Sequence, residues 1–401
     1  MNPSACVLFV NATSEIGGAD VDLLEICRHL DRNRYRPAVV LPHPGPLSAA
    51  FEAADVEILY LDSAPLKNFR HPGQFFAYPL RFVAAVVALA SLIRTKRPAL
   101  VHINTAVLPA AGLAAKVTGT PCVWHVREIE LLQRSRLVGS FLRWCIRFCA
   151  SRVIAISQAV ATELGVRIRP KVTVVYHGVD LNRFHPGQSG LFAQLGFYRS
   201  ARVIGYVGRL SPVKGLNYLV SALQIVLQRM PETYLVLAGP VLGYEKYVGD
   251  LKEQVNASGL ADRVIFLDSR TDVSDLIRGL DLLVLPTTVP EGLGIVILEG
   301  LASGKPVIAT SRGGPVEILT GCGAGRLVPA GDAQAIADAA LELLSLRADE
   351  RRKLGQEARR WAVERFSVQR MIKQLIGIYE SLLETKANEK TQLAILGRSG
   401  N

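Results

Sequence analysis

Residues 203–215, V-I-G-Y-V-G-R-L-S-P-V-K-G, indicate the fold most clearly. The first five residues form an apolar run without polar alternation, which is typical of a strand buried on both faces of a parallel sheet. A loop carrying Arg209 and Lys214 follows, and an apolar pattern of helical period begins at Leu216. The stretch therefore predicts a strand, a loop and a helix start, as in one βαβ unit.

The same alternation of apolar runs and helical patterns extends over most of the chain. Apolar runs recur at 6–10, 37–41, 56–61, 99–103, 121–125, 153–156, 172–175, 203–207, 234–238, 264–267, 282–285 and 307–309. Right-handed crossovers between such strands give an open parallel sheet in each half of the chain. The segment 181–200, which contains the turn-rich residues 184–190, separates the two series and is suited to a linker. We expect an α/β protein of two facing doubly wound, Rossmann-like domains, 1–183 and 198–366, with a helix at about 367–385 returning to the first domain.

Composition excludes several classes of protein. Of the 401 residues, 49% are hydrophobic and 20% charged, so the chain is neither disordered nor of low complexity. Its six cysteines are scattered without a C-x-x-C pair, which disfavours a zinc site or disulfide framework and fits a reducing cytoplasm.

The N-terminus lacks a signal-peptide pattern. The longest apolar run, 82–93, has 12 residues, whereas a membrane span needs about 20, so no transmembrane helix is expected. The net charge of +11 favours an anionic partner.

The loop 208–215 has the properties of an anion-binding site. A helix N-terminus offers backbone N–H groups and about half a positive charge. Arg209 can bind two phosphate oxygens at once, and Lys214 adds a point charge. The loop lacks the G-x-x-x-x-G-K-[ST] pattern of a P-loop, so the expected ligand site is of another kind.

A second polar loop occurs in P-T-T-V-P-E-G-L-G-I-V-I-L-E-G, residues 286–300. Glu291 lies on the predicted loop and Glu299 inside the following helix, so their carboxylates should be about 8–12 Å apart. That is too far for two groups acting on one bond, and it fits two hydroxyl-rich groups at opposite ends of an extended ligand. The amides of the residues between them form a second helix start: Gly292, Leu293, Gly294 and Ile295.

Other candidates follow strands of the first half. Gly17 and Gly18 come after the first strand and before a helix, so their amides can face an anion. His125 ends the strand 121–125, while His102 and Asn104 end the preceding one. These positions lie at the carboxyl edge of a parallel sheet, where ligands bind. We therefore predict a functional role for His125 and a place in the crevice wall for His102 and Asn104.

Asp20 and Asp22 spell D-x-D, a pattern that can hold a metal ion. Acidic residues at a helix opening also stabilise the helix dipole. We interpret both aspartates as helix residues and predict no metal site.

A basic segment lies at 127–152. On a helix, Arg136, Arg143 and Arg147 fall within about 40° of one another, and apolar side chains occupy an adjoining arc. Two interpretations stay open, a solvated basic face and a surface that rests on anionic lipid headgroups. The apolar helix 75–93 is expected mainly to cover the sheet.

Four motifs of the second half identify a family. They are G-R-L-S-P-V-K-G (208–215), E-G-L-G-I-V-I-L-E-G-L-A-S-G-K-P-V-I-A-T (291–310), G-G-P-V-E-I (313–318) and G-R-L-V-P (325–329). They resemble the donor-binding domain of family 4 glycosyltransferases, which adopt the GT-B fold. Gly17–Gly18 and H-G-V-D (177–180) extend the resemblance to the first half. Gly300 and His177 depart from the family, which usually has Ala and often Asn there.

The resemblance implies a retaining glycosyltransferase that requires no cofactor and uses a UDP- or GDP-type nucleotide sugar as co-substrate. It implies a glycan or lipid-linked acceptor in cell-surface polysaccharide or glycolipid assembly. The implied location is cytoplasmic, or peripheral on the inner face of the membrane.

The resemblance also implies a role for each candidate residue. Arg209 and Lys214 would neutralise the donor diphosphate, with Glu299 on the ribose and Glu291 on the sugar. The remaining contacts would be Gly17 and Gly18 on the diphosphate or acceptor, Gly292, Leu293, Gly294 and Ile295 on the sugar or phosphate, Ile265 near the base, His125 on the sugar and Glu128 near the acceptor.

Three other functions are weighed against this one. A sugar-nucleotide epimerase can share the two-domain architecture. A dinucleotide dehydrogenase is disfavoured because the loops after the strands lack G-x-G-x-x-G. A basic nucleic-acid-binding protein would show a reading element or an aromatic platform, and aromatic residues make up only 7% of the chain.

Overall fold

The computed structural model describes the backbone of residues 4–66, 72–133, 136–165, 167–190 and 201–398. These residues divide into two compact units. The first unit consists of the described residues of Met1–Tyr176 and Gln369–Asn401, and the second of those of His177–Val368. The division between Tyr176 and His177 falls before the linker predicted at 181–200, and residues 191–200 lie outside the described part.

The first unit is built on a parallel sheet in the order β3-β2-β1-β4-β5-β6-β7. Its strands are β1 (Ala5–Val10), β2 (Tyr35–Leu41), β3 (Glu57–Tyr60), β4 (Leu100–Ile103), β5 (Cys122–Val126), β6 (Arg152–Ala155) and β7 (Val172–Val174). Its helices between strands are α1 (Gly18–His29), α2 (Pro46–Glu52), α3 (Pro72–Lys96), α4 (Pro109–Val117), α5 (Glu130–Gln133), α6 (Arg136–Cys149) and α7 (Gln158–Leu164). Since strand order reverses between β1 and β4, a ligand crevice is expected at their carboxyl ends.

The second unit repeats this plan with a parallel sheet in the order β10-β9-β8-β11-β12-β13. Its strands are β8 (Arg202–Val207), β9 (Thr233–Ala238), β10 (Val264–Leu267), β11 (Leu282–Leu285), β12 (Val307–Thr310) and β13 (Gly325–Val328). Its helices are α8 (Leu216–Leu227), α9 (Glu245–Ala257), α10 (Val273–Gly279), α11 (Ile295–Ala302), α12 (Gly314–Leu319), α13 (Ala333–Leu344) and α14 (Ala348–Arg365). The order reverses between β8 and β11.

The predicted fold class, two doubly wound Rossmann-like domains, is therefore confirmed. Each predicted strand occurs within two residues of its expected bounds, because the apolar runs are continuous and the central strands are buried on both faces. The edge strands β3, β7 and β10 are more open but have similar apolar runs. The pattern missed β13, whose Gly325 and Arg326 interrupt the apolar run.

The last helix, α15 (Val368–Arg398), belongs to the first unit from Gln369 onward. The Tyr379 hydroxyl lies 2.7 Å from His102 Nδ1, at the end of β4. Arg34 and Glu380 form an ion pair at the surface. These contacts fix the returning helix to the sheet.

The helix α3 differs from its expected role as a cover for the sheet. It buries Ala85, Leu89 and Ile93, but large apolar residues on its other side are exposed. Residues Phe76–Lys96 contain an 18-residue window with a mean hydropathy of 1.9, and the helix is long enough to cross a membrane by length and composition alone. Judging the span from the uninterrupted run 82–93 underestimated the length of the apolar segment, because Pro79 and Arg81 interrupt its N-terminal part.

Candidate active site

Two loops meet at the carboxyl ends of β8 and β11. We call residues 208–215 the cation loop and residues 286–294 the acidic loop. The amide of Thr288 donates to the Val213 carbonyl at 2.8 Å, and the Thr287 hydroxyl donates to the same oxygen at 3.0 Å. Gly215 has φ +66°, and a Cβ there would lie 2.2 Å from the Pro286 carbonyl oxygen, so only glycine permits this approach.

The central contact is an ion pair between the loops. Lys214 Nζ lies 2.5 Å from Glu291 Oε2, and the two side chains are 20% and 22% exposed. The sequence predicted that both residues serve one ligand, and the fold brings them into direct contact. Because Lys214 immediately precedes the start of α8, its charge adds to that of the helix N-terminus.

Arg209 is more open than Lys214. Its side chain is exposed, while its carbonyl accepts a 2.8 Å hydrogen bond from the buried Tyr206 hydroxyl. Burial raises the pKa of Tyr206, the charge of Glu291 raises it further, and Arg209 lowers it. Arg209 and Glu291 therefore both act on this buried phenol, at the base of the cation loop.

The acidic loop ends at the start of α11. Gly294 has φ +84° and caps this helix, and Leu293 before it is buried. The amide of Gly314 donates to the Glu291 carbonyl at 2.9 Å, and a Cβ at Gly313 would lie 2.2 Å from that oxygen. The G-G-P motif thus supports the backbone of the acidic loop.

Glu299 lies on α11 and is half-buried. Burial raises the pKa of its carboxyl group, and the nearby His177 and Arg183 lower it in part. The H-G-V-D segment of the sequence therefore lies close enough to Glu299 to act on its charge.

Tyr247 of α9 is a residue that sequence reasoning missed. Burial raises the pKa of its phenol, whereas the amides of Leu216 and Asn217 lower it. The phenol oxygen thus lies at the N-terminus of α8, beside the predicted anion site. No local pattern marks this tyrosine, since its position depends on the packing of α9 against α8.

Ile265 lies within the edge strand β10 and is half-buried. β10 is separated from β8 by one strand, so Ile265 is about 10 Å from the strand that leads into the cation loop. It does not share the Lys214–Glu291 contact.

A buried polar network occupies the corresponding edge of the first sheet, centred on Arg127. Arg127 forms an ion pair with Asp22 of α1, and its Nε and Nη2 donate to Asn104 Oδ1 at 3.1 and 2.9 Å. Arg127 Nη2 also donates to His125 Nδ1 at 3.1 Å. Because arginine can only donate, Nδ1 of His125 is the acceptor and the ring proton of the neutral imidazole is on Nε2.

The network corrects two expected roles. Asn104 is fully buried and bonded to Asn11 Oδ1 at 2.9 Å and to Arg127, so it does not form an open crevice wall. His102 is 0% exposed and bonded to Tyr379, and burial lowers its pKa to about 3. Both residues hold the sheet edge together, because their side chains are enclosed by α1 and α15.

The other candidates of the first unit, His125, Glu128 and Gly17, lie near the same network but differ in exposure and bonding. His125 is only 2% exposed. Glu128 is half-buried and accepts bonds from the Thr105 hydroxyl and from the Ala106 amide, the latter at 3.2 Å. The Gly17 amide donates to Asp20 Oδ2 at 3.0 Å, so the amides that α1 can offer a ligand begin at Gly18.

Asp20 and Asp22 both lie on α1, as interpreted, and both are buried members of the network. Asp20 also accepts from Asn11 Nδ2 at 2.7 Å. Across the described residues, no group of three or more His, Cys, Asp or Glu side chains is arranged to hold a metal ion.

The basic helix α6 presents two of its three predicted arginines. Arg136 and Arg147 are exposed. Arg143 is half-buried, and its Nη1 donates to the carbonyls of Leu132 at 3.3 Å and Glu163 at 3.4 Å. Arg143 therefore caps the neighbouring helices α5 and α7, which removes it from the predicted lipid-facing surface.

Comparisons with known proteins identify the family of this chain. The family described as Glycosyltransferase Family 4 matches residues 16–183, and the family described as Glycosyl transferases group 1 matches residues 188–361. The lipopolysaccharide core biosynthesis mannosyltransferase LpsB of Rhizobium meliloti is 31% identical, over 66% of this chain and 81% of LpsB. This chain belongs to glycosyltransferase family 4.

Two further similarities extend over most of this glycosyltransferase. The Escherichia coli UDP-Gal:alpha-D-GlcNAc-diphosphoundecaprenol alpha-1,3-galactosyltransferase is 26% identical, over 75% of this chain and 81% of that enzyme. The crystal structure of Anabaena Alr3699/HepE in complex with UDP and glucose matches with a TM-score of 0.81 at 27% identity, over 94% of this chain and 100% of that one. The GT-B fold implied by the sequence is confirmed, and the epimerase and nucleic-acid alternatives gain no support from these relatives.

Proposed function

We propose that this glycosyltransferase takes a UDP-sugar as donor and transfers the sugar, with retention of anomeric configuration, to a lipid-linked glycan of the cell surface. The E. coli relative is named for UDP-Gal and a diphosphoundecaprenol acceptor, and the Anabaena structure contains UDP and glucose. LpsB is named as a lipopolysaccharide core mannosyltransferase. The observation that carries the proposal is the Lys214–Glu291 pair beside the N-terminus of α8.

Lys214 is the proposed counter-ion of the departing diphosphate. Its ammonium group has three donors, so it can bond a phosphate oxygen as its contact with Glu291 loosens. Transfer breaks the bond between the anomeric carbon and the β-phosphate oxygen, and the acceptor oxygen bonds to that carbon. The acceptor's proton passes to the departing phosphate oxygen. Lys214, Arg209 and the amides that open α8 and α11 stabilise the charge that develops there.

The two glutamates have separate proposed tasks. Glu291, once Lys214 turns to the phosphate, accepts hydrogen bonds from hydroxyls of the transferred sugar. Glu299 accepts hydrogen bonds from the ribose hydroxyls, which requires its carboxylate form although burial favours the protonated one. Ile265 is proposed to lie near the base, on β10.

His125 is the proposed catalytic group of the first unit. Because Arg127 donates to Nδ1, the neutral imidazole offers a hydrogen-bond donor at Nε2 rather than a base. Arg127 is therefore a positioning residue, which fixes the tautomer of His125. Gly18 and Glu128 are proposed contacts for the diphosphate or acceptor.

The proposed location is cytoplasmic and peripheral, since a lipid-linked acceptor keeps the reaction at a membrane. The exposed Arg136 and Arg147 support contact with anionic headgroups.

A transfer assay tests the proposal. The protein is incubated with a panel of UDP- and GDP-sugars, with and without a lipid-linked glycan extract, and nucleotide release and product configuration are measured. We expect acceptor-dependent release of UDP and a product with the anomeric configuration of the donor. Lys214→Met should abolish most of this release, whereas Lys353→Met, on the exposed face of α14, should not. Release of GDP alone, an inverted product, or an epimerised donor formed without acceptor would each contradict the proposal.

A further inference from the structure

An exposed apolar stripe extends along α3. Phe76, Leu80, Val83 and Val87 are 76%, 79%, 58% and 63% exposed. Their spacing of four, three and four residues places them on one face of the helix, over about 16 Å. Monomeric soluble proteins rarely leave so many large apolar residues contiguous on their surface, so the stripe indicates a binding surface.

A second exposed apolar surface lies on α6. Leu137 and Trp144 are 84% and 58% exposed, and Phe141 and Phe148 are 39% and 49% exposed. The rings of Trp144 and Phe148 stack with centroids 5.4 Å apart, and Phe141 stacks on Trp144 at 6.4 Å. These four residues occupy one arc of the helix, next to the arc that carries Arg136 and Arg147.

The two apolar surfaces are neighbours within the first unit. Both α3 and α6 pack on α4. Tyr78 of α3 is close enough to Cys145 of α6 for that thiol to act on its pKa. Lys116 of α4 lies 5.4 Å from the ring centroid of Phe148. The stripe and the aromatic arc therefore lie on neighbouring helices of the unit, and together we call them the apolar surface.

The segment of sequence that contains the apolar surface is strongly basic. Residues 72–149 contain ten Lys and Arg but only two Asp and Glu. Arg94 continues the line of the α3 stripe two turns beyond Val87 and is exposed, and Arg136 and Arg147 border the aromatic arc. Aromatic and aliphatic side chains bordered by arginines match a bilayer interface with anionic headgroups, whereas a second copy of this chain would bring like charges together.

We infer that the apolar surface of α3 and α6 binds an anionic bilayer, with α3 lying in the plane of the interface rather than spanning it. The opposite face of α3 packs in the unit through Ala85, Leu89 and Ile93. Arg81 of α3 is held by Asp62 through two bonds, of 2.5 and 2.8 Å. A spanning helix would have to break these contacts. The inference rests on the proposed peripheral location and deepens it by naming the binding surface, and it does not depend on the identity of the donor.

Vesicle flotation of the full-length protein tests the inference. We expect flotation with phosphatidylglycerol vesicles that is strongly reduced with phosphatidylcholine vesicles. The variant F76S/L80S should bind phosphatidylglycerol vesicles at least about tenfold more weakly. The variant R136Q/R147Q should lose about fivefold per arginine, since each contributes through the surface potential. Leu242→Ser, at a 68% exposed site in the second unit, is the matched control and should bind like wild type.

Circular dichroism spectra and thermal unfolding like those of the wild type show that each variant is folded, whether or not UDP binds. UDP binding lies in the second unit and is measured separately, so failure of the donor proposal and failure of this inference are distinguishable. Absence of flotation by the wild type, or equal flotation of F76S/L80S, would overturn the inference. Resistance to alkaline carbonate extraction would overturn the in-plane orientation, because it indicates a span. A wild-type dimer that F76S/L80S converts to monomer, without vesicle binding, would assign the surface to a second copy instead.

Discussion

Lys214→Met and Glu291→Gln are expected to change the affinity for UDP in opposite directions. In the structure the two side chains neutralise each other, with Nζ 2.5 Å from Oε2. If the ammonium group binds the diphosphate, the carboxylate competes for it. Removing Lys214 therefore removes a ligand contact and leaves a repulsive charge, whereas removing the Glu291 charge releases Lys214 for the phosphate.

The size of each effect follows from the burial of the pair. A hydrogen bond to a charged group contributes about 1.5–3 kcal/mol. Repulsion between a carboxylate and a phosphate charge about 6 Å away is about 3 kcal/mol at an effective dielectric constant of 20, and solvent access reduces it to about 1–2 kcal/mol. Lys214→Met should then weaken UDP binding by about 10²–10³-fold, and Glu291→Gln should tighten it by about 5–30-fold.

Isothermal titration calorimetry with UDP measures both changes at one pH and salt concentration. Lys353→Met serves as control, because it removes an exposed lysine of the same unit and should leave the affinity unchanged. Glu291→Gln should still lower sugar transfer, since the carboxylate is the proposed acceptor for sugar hydroxyls. If both variants weakened UDP binding to a similar degree, or if Lys214→Met bound UDP like wild type, the proposal that Lys214 exchanges Glu291 for the diphosphate would be refuted.

Three other predictions test the supporting structure. The pKa of Glu299 is raised above the ordinary 4.5, so lowering the pH through this raised pKa should protonate the carboxylate and weaken UDP binding. Dividing the wild-type affinity by that of Glu299→Gln at each pH cancels the effect of phosphate ionisation, and a ratio that did not change with pH would contradict the ribose contact. Asp22→Asn leaves the buried charge of Arg127 without its counter-ion and should lower the free energy of unfolding by about 3–5 kcal/mol in urea titrations; a loss well below that would show that the pair is not desolvated. Gly215→Ala should reduce thermal stability and UDP affinity, because the new Cβ would clash with the Pro286 carbonyl. The control Gly259→Ala has a similar φ of +67° and no atom near the new Cβ, so it should lower stability only by the backbone strain of about 1–2 kcal/mol. Equal effects of the two substitutions would show that the close approach of the loops is unimportant.

In the second unit, the elements that carry the candidate residues were predictable from the sequence. Arg209, Lys214, Glu291 and Glu299 follow buried strands, and strand order alone carries such residues to one edge of a parallel sheet. What the sequence did not indicate is the direct Lys214–Glu291 contact, which depends on the bonds between the loops at Val213.

The first-unit site was less predictable, because its side chains find partners far away in the chain. His102 resembles a crevice residue until α15 supplies Tyr379, 277 positions later. In the sequence, Arg127 was only one arginine of a basic segment, whereas its ion pair with Asp22 on α1 makes it the centre of the network. Arg143 shares a helix face with exposed arginines and still caps neighbouring carbonyls. Periodicity shows which face a residue is on, but not which distant group it meets.

Comparing the affinities of UDP and uridine tests most directly whether positive charge at the start of α8 recognises a diphosphate. Calorimetric titration of the wild-type protein with each ligand should show UDP bound at least about 10²-fold more tightly, in line with two or more charge-assisted contacts. Equal affinities for UDP and uridine, or no binding of UDP, would contradict the account.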